Sequence, residues 1–419
     1  MKKRKFRNVI AVFLLLCSIM LNMTGCFVTV EATDLMEGIT PREVGAPGDM
    51  KGGATAVTDF AVRLFAATNK NGENVLISPL SVLCALAMTA NGADGTTLEQ
   101  MENVFGMSNE ELNLYLYSYI NSLPQGEKYK LNVANSIWFK DDDRFTVNRD
   151  FLQTNADYFG ADIYKAPFDD QTLRDINNWA KKETDGMIPN VLKKIDEAAI
   201  MYLVNALAFE AEWNKIYEKY QVSDGKFTKE DGTEQNAEFM YCSEGKYLED
   251  GNAKGFIKYY SGYKYAFVAL LPDEDVTVSD YINSLDGTKL NEMLTNAESA
   301  TVKTAIPKFE TEFSTEMSDI LKNMGMTDAF DLYNADFSSL GSYEEQNIFI
   351  NNVIHKTFIQ VGEKGTKAGA VTVIEMNAGS ACPPEEIKEV YLDRPFVYML
   401  IDCENSIPFF IGTMMDINE

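Results

Sequence analysis

The sequence predicts a single large α+β domain, on three observations. Helical spacing dominates the first half of the chain and strand-like apolar runs the second, without the regular alternation that builds a doubly wound parallel sheet. An apolar fraction of 46% supplies what a packed core needs. Beyond Gly53, no linker, repeat or low-complexity tract divides the 419-residue chain.

At the N-terminus, Lys2, Lys3, Arg4, Lys5 and Arg7 form a basic head, and an apolar run over residues 9–21 follows. The run is too short for a lasting membrane span and has the flanks of a signal peptide. It ends in LNMTGC at residues 21–26, which resembles a bacterial lipobox with Met23 as its departure from the pattern. Residues 1–25 are therefore expected to be a lipoprotein-type signal peptide. A lipid on Cys26 would tether the protein to the outer face of the bacterial cell membrane. Ordinary signal-peptidase cleavage, releasing a secreted protein, is the alternative. Residues 26–53, with Gly38, Pro41, Gly45, Pro47, Gly48, Gly52 and Gly53, read as a flexible tether reaching about 30 Å at roughly 5–6 Å × √n. Residues 54–419 read as the domain.

Along the domain, Val57, Phe60, Ala61, Leu64 and Phe65 share one helical stripe, and Ile176, Trp179 and Ala180 repeat it before Gly186 and Pro189 stop the helix. Residues 265–271 form a short apolar run closed by Pro272, and residues 396–401 form another.

The formal net charge of −26 repels nucleic acid and anionic lipid, so no nucleic-acid partner is expected. His355 is the only histidine, and a Ser–His–Asp or Cys–His enzyme would need it as base. The sequence has no nucleophile elbow, phosphate-binding loop or histidine metal pair, which argues against an enzyme. Cys17 and Cys26 lie in the export segment. Cys84, Cys242, Cys382 and Cys403 are scattered without metal-ligand spacing, so no metal or other cofactor is expected and one or two disulfides remain open.

The most informative stretch is VGEKGTKAGAVTVIEMNAGSACPP at residues 361–384, between a strand-like segment (348–361) and the strand signal near Phe396. With period two, Thr366, Ala368, Ala370 and Thr372 point one way and are all small. A strand with one small-residue face can enter between two existing strands without displacing their core, and Gly365 and Gly369 add hinge freedom. A flexible surface loop between two strands is the plainer reading of the same pattern.

EKGT at 363–366 followed by small residues resembles the serpin hinge, and VYLDRPFVYML at 390–400 resembles that family's signature. NVLISPLS at 74–81, NGADGT at 91–96, LVNALAF at 203–209 with Trp213, IPKF at 306–309 and PFFIG at 408–412 resemble further serpin motifs in the same order. The resemblance runs from Thr55 to the C-terminus. It implies a serpin fold: one large domain with a helical half, a large central mixed β-sheet, smaller sheets and an exposed reactive-centre loop.

The resemblance also implies a suicide-substrate inhibitor of proteases, monomeric and not an enzyme, which traps the acyl-enzyme by inserting the cleaved loop into the main sheet. Its hinge would comprise Glu363, Gly365, Thr366, Ala368, Ala370 and Thr372. Sheet opening would be gated by Ser78, Ser81, Asn205, Trp213 and His355. Counting at typical loop length from Gly365 puts the reactive bond at Gly379–Ser380, with Ala378 or Met376 as alternative anchors because the loop is several residues longer than usual. The small neighbours Asn377, Ala378, Ser380 and Ala381 suit elastase-like or subtilisin-like serine proteases, with papain-like cysteine proteases as a second class. Lys367 and Val371 depart from the usual acidic and alanine residues, but both fall on the outward-facing alternation. A non-inhibitory serpin-fold binding protein on the cell surface is the alternative function.

Overall fold

The computed structural model describes residues 30–45, 50–344, 346–366 and 387–418. The chain opens with β1 (Thr33–Asp34), α1 (Met50–Thr68), β2 (Val75–Ile77), α2 (Pro79–Ala90), α3 (Gly95–Phe105) and α4 (Asn109–Ser122). Next come β3 (Tyr129–Lys140), β4 (Phe145–Val147), α5 (Arg149–Phe159), β5 (Asp162–Ala166), α6 (Asp170–Glu183) and β6 (Met201–Glu212). The middle holds β7 (Val222–Thr228), β8 (Glu234–Glu249), β9 (Ala253–Tyr259), β10 (Tyr265–Pro272), α7 (Val278–Ser284) and α8 (Gly287–Thr295). It closes with β11 (Glu298–Pro307), β12 (Phe309–Glu316), α9 (Ser318–Met324), β13 (Gly341–Tyr343), β14 (Asn352–Gly362), β15 (Gly365–Thr366), β16 (Ile387–Tyr391), β17 (Phe396–Asp402) and β18 (Pro408–Met414).

Local chemistry sets the helix ends. Ser108 and Glu111 form a reciprocal capping box at the start of α4, and the Asp169 carboxylate caps α6. α3 and α5 stop where Gly106 and Gly160 take left-handed conformations, which glycine adopts without a Cβ penalty.

The strands form a seven-stranded mixed sheet, β1-β5-β3-β6-β15-β14-β12, and a nine-stranded sheet, β16-β11-β8-β9-β10-β17-β18-β2 with β7 on β8. α2 packs on β3 and β6 of the first sheet and on β18 of the second, and every one of its residues is buried. A helix buried on every side, with Ser81 and Thr89 as its only polar side chains, is stable only inside a large core.

β3 and β6 are 12-residue strands, paired antiparallel with each other, and β6 carries the 203–209 motif. One expectation is corrected here, the flexible tether over residues 26–53. α1 begins at Met50, and residues 30–42 lie against the domain rather than forming a free coil. The Asp175 carboxylate accepts the Glu31 and Ala32 amides at 3.0 Å each, β1 pairs with β5, and Arg42 forms an ion pair with Asp157. Leu35, Met36 and Ile39 pack on the core, which offsets the entropy of ordering a glycine- and proline-bearing segment.

The feature that positions the site is a partial opening between β6 and β14. These strands pair in parallel from Asn352↔Tyr202 to Lys356↔Ala206, and their mutual register stops there. At the far end β15 lies between them, antiparallel to both: Gly365↔Glu212 and Thr366↔Ala211 on one side, Gly362↔Gly365 and Val361↔Thr366 on the other.

Candidate functional site

His355 and Asn205 face each other one position before the β6–β14 register ends. The Ser78 amide donates to His355 Nε2 at 3.0 Å, and His355 Nδ1 lies 2.6 Å from Asn205 Oδ1. Both contacts are satisfied at once only if Nδ1 carries the proton, so the ring is a neutral Nδ1–H tautomer. Burial pushes its pKa down to about 3, consistent with that neutral state. Ser78 is the N-cap of α2, and its Oγ accepts the Ser81 amide at 3.3 Å. The cluster therefore ties α2 to both strands at the point where they diverge. Ser81 Oγ and Asn205 Nδ2 are buried without a hydrogen-bond partner.

At the other end of the opening, three successive carbonyls of the turn into β15 are held by one short segment, residues 213–217. Trp213 Nε1 donates to Gly362 O at 2.8 Å, the Tyr217 amide to Glu363 O at 2.9 Å and the Trp213 amide to Lys364 O at 2.8 Å. Lys308 Nζ lies 2.9 Å from Glu363 Oε1 and 2.9 Å from Glu238 Oε2, and it holds the Glu363 carboxyl below the usual carboxylate range. Thr366 is buried, with its hydroxyl hydrogen-bonded to Tyr260 Oη, and Tyr260 stacks on Trp213 with centroids 4.3 Å apart. Gly365 has φ 150°, and a Cβ there would overlap the Ala211 carbonyl, so the close approach of β15 to β6 requires glycine.

Beneath residues 213–217 lies a buried ion pair. Lys258 Nζ donates to Glu244 Oε1 at 2.8 Å, with side-chain exposures of 1% and 10%. The ammonium also sits 4.4 Å from the Tyr217 ring centroid and 5.2 Å from that of Trp213, and it reaches the Lys215 carbonyl at 3.4 Å. The Cys242 thiol donates to the same Glu244 oxygen at 3.1 Å.

Of the residues singled out in the sequence, Ser78, Ser81, Asn205 and His355 come together in one cluster. Trp213, Glu363, Gly365 and Thr366 come together in the other. Cys26, Ala368, Ala370, Thr372, Met376, Ala378, Gly379 and Ser380 lie outside the described residues. Cys84, Cys242 and Cys403 are free thiols. Sequence reasoning missed Tyr217, Glu244, Lys258, Tyr260 and Lys308. A signal existed for Lys258, a charged residue inside the otherwise apolar run 256–260 of a strand. Only the folded chain brings it under Trp213.

A family model described as "Serpin (serine protease inhibitor)" matches residues 55–417. The crystal structure of a thermophilic serpin, tengpin, in its native state is similar at 47% identity with a TM-score of 0.88, covering 92% of this chain and 100% of that one. Tengpin in its latent state is similar at 46% identity with a lower TM-score of 0.78, covering 90% and 100%. Among curated proteins, the leukocyte elastase inhibitor of Equus caballus is 28% identical over 86% of this chain and 98% of its own length.

Proposed function

The chain belongs to the serpin family, and from that premise we propose that it is a suicide-substrate inhibitor that traps proteases by strand insertion. The observation that carries this reading is β15: the first two residues of the loop already occupy a strand position between β6 and β14. Serpin loop insertion is a known instance of strand addition to a sheet. A protease cutting beyond Thr366 would free the loop to continue along the same register. Lys367 would then meet Glu210 and Ala368 would meet Phe209, so that the opening closes like a zip. Roughly a dozen new backbone hydrogen bonds at ~0.5–1.5 kcal/mol each would supply on the order of 10 kcal/mol. The uncut fold is then held by a barrier rather than by being the lowest state.

The gates follow from geometry. Continued insertion must separate Lys356 from Ala206 and then His355 from Asn205, the pair that ties both strands to α2. The better match to the native than to the latent state of tengpin supports an uninserted starting form.

Residues 377–381 are small, and a relative is a leukocyte elastase inhibitor; both support elastase-like or subtilisin-like serine proteases as targets. The reactive bond is assigned to Gly379–Ser380, with Ala378 and Met376 as the alternative anchors. The basic head and Cys26 support export with a lipid tether on the outer face of the cell membrane, and secretion of the free protein is the alternative.

Incubating the purified protein with pancreatic elastase and with subtilisin tests the reading. A complex that survives denaturing electrophoresis is expected, with a released peptide whose mass locates the cut. Complete loop cleavage by both enzymes without any such complex would overturn it.

A further inference from the structure

The trapping reaction does not require a charge beneath the hinge, yet Lys258 is among the most completely enclosed lysines of the chain. An ammonium taken out of water must be paired and surrounded, and such pairs seldom add stability over apolar replacements. What this one does add is position. Its contacts are Glu244, the Cys242 sulfur, the Lys215 carbonyl and the faces of Tyr217 and Trp213. Trp213 and Tyr217 supply all three of the donors that hold the carbonyls of Gly362, Glu363 and Lys364. The ammonium thus fixes from below the segment that grips the hinge from above. Tyr260, stacked on Trp213 and bonded to Thr366, links the same indole to the inserted strand.

We propose that Lys258 is a positioning residue that sets how readily the hinge is released into the sheet, acting through Trp213 and Tyr217. The proposal rests on the loop-insertion reading given above. With the ammonium in place, residues 213–217 are held at one height and grip the turn into β15. Without it, the indole and phenol rings lose their common anchor and the three carbonyls are held less firmly.

The test uses the purified chain alone, without a target protease. The double variant Lys258→Met/Glu244→Leu removes the pair without stranding a charge. Tyr217→Leu removes one ring face, and Tyr217→Phe keeps it. Leu290→Ala, in the core of α8 and far in sequence from the hinge, is a control for general destabilisation. Each is warmed below its unfolding midpoint, and conversion to a form whose loop resists added protease is timed.

The double variant and Tyr217→Leu are expected to convert roughly tenfold faster or more, beyond any acceleration in a Leu290→Ala control matched for unfolding midpoint. Tyr217→Phe is expected to keep the wild-type rate. Conversion of the Lys258 and Tyr217→Leu variants no faster than the control, or equal acceleration by Tyr217→Phe, would overturn the assignment. Failure of every protease to form a stable complex would instead strike at the inhibitory function and leave these rates interpretable.

Discussion

Tyr260 Oη and Thr366 Oγ1 share a hydrogen bond inside the opening of the seven-stranded sheet, and both side chains are enclosed. Neither hydroxyl has water to fall back on. Tyr260→Phe or Thr366→Val should each cost about 1–3 kcal/mol, because each strands the other partner. The double variant should cost less than the sum of the two, since nothing polar is left unpaired. Unfolding midpoints of the four chains in a double-mutant cycle measure the coupling, and strict additivity would show that the bond contributes nothing.

His355 makes stability depend on pH in a defined window. The unfolded imidazole takes a proton near 6.5, whereas burial pushes the folded one down to about 3. Between those values the unfolded chain holds the proton and the folded chain does not. Stability therefore falls as pH drops below about 6.5, by up to about 1.4 kcal/mol per pH unit, and this group contributes no slope above that. Thermal midpoints taken from pH 7.5 down to about 5 should decline in the wild type and decline less in His355→Gln. Equal slopes in the two would remove His355 as the cause.

Gly365→Ala tests whether β15 depends on glycine. At φ 150° an alanine is strained, and its Cβ would meet the Ala211 carbonyl, so β15 should leave the sheet at a cost of about 1–3 kcal/mol. The readout is faster limited proteolysis near residues 363–366 in the variant. Unchanged digestion there would mean that β15 tolerates the side chain.

The N-terminal segment should detach when its buried anchor is removed. Asp175, 1% exposed, accepts the amides of Glu31 and Ala32 and the side chain of Gln171. Asp175→Ala should lower stability by about 1–3 kcal/mol and speed hydrogen exchange at residues 31–35 while leaving β10 protected. Exchange confined to its wild-type rate at 31–35 would show that the apolar contacts of Leu35, Met36 and Ile39 suffice.

Much of the architecture is legible in the sequence, and particular residues explain which parts. Tyr265–Pro272 and Phe396–Asp402 are strands because continuous apolar runs buried on both faces leave little else open to them. Asp170–Glu183 shows its helix through the apolar stripe of Ile176, Trp179 and Ala180, and the cap at Asp169 sets its start. The docking of residues 30–42 was illegible, because it depends on a carboxylate 143 positions away and on the free edge of β5. His355 was identifiable as the lone histidine and by its position in the family resemblance, but the tautomer that joins Ser78 to Asn205 is a property of the fold. Lys258 was the least readable: its isolation in an apolar run marked it as unusual, and only the arrangement of Trp213, Tyr217 and Glu244 gives it work to do.

The most direct test of strand insertion is the thermal midpoint of the chain before and after a single cut in the loop, with both fragments retained. Insertion of the freed strand between β6 and β14 predicts a cleaved form that melts well above the intact one, since the cut would release it into the lower state. A cleaved form that melts at or below the intact temperature would contradict insertion, whatever proteases the chain meets.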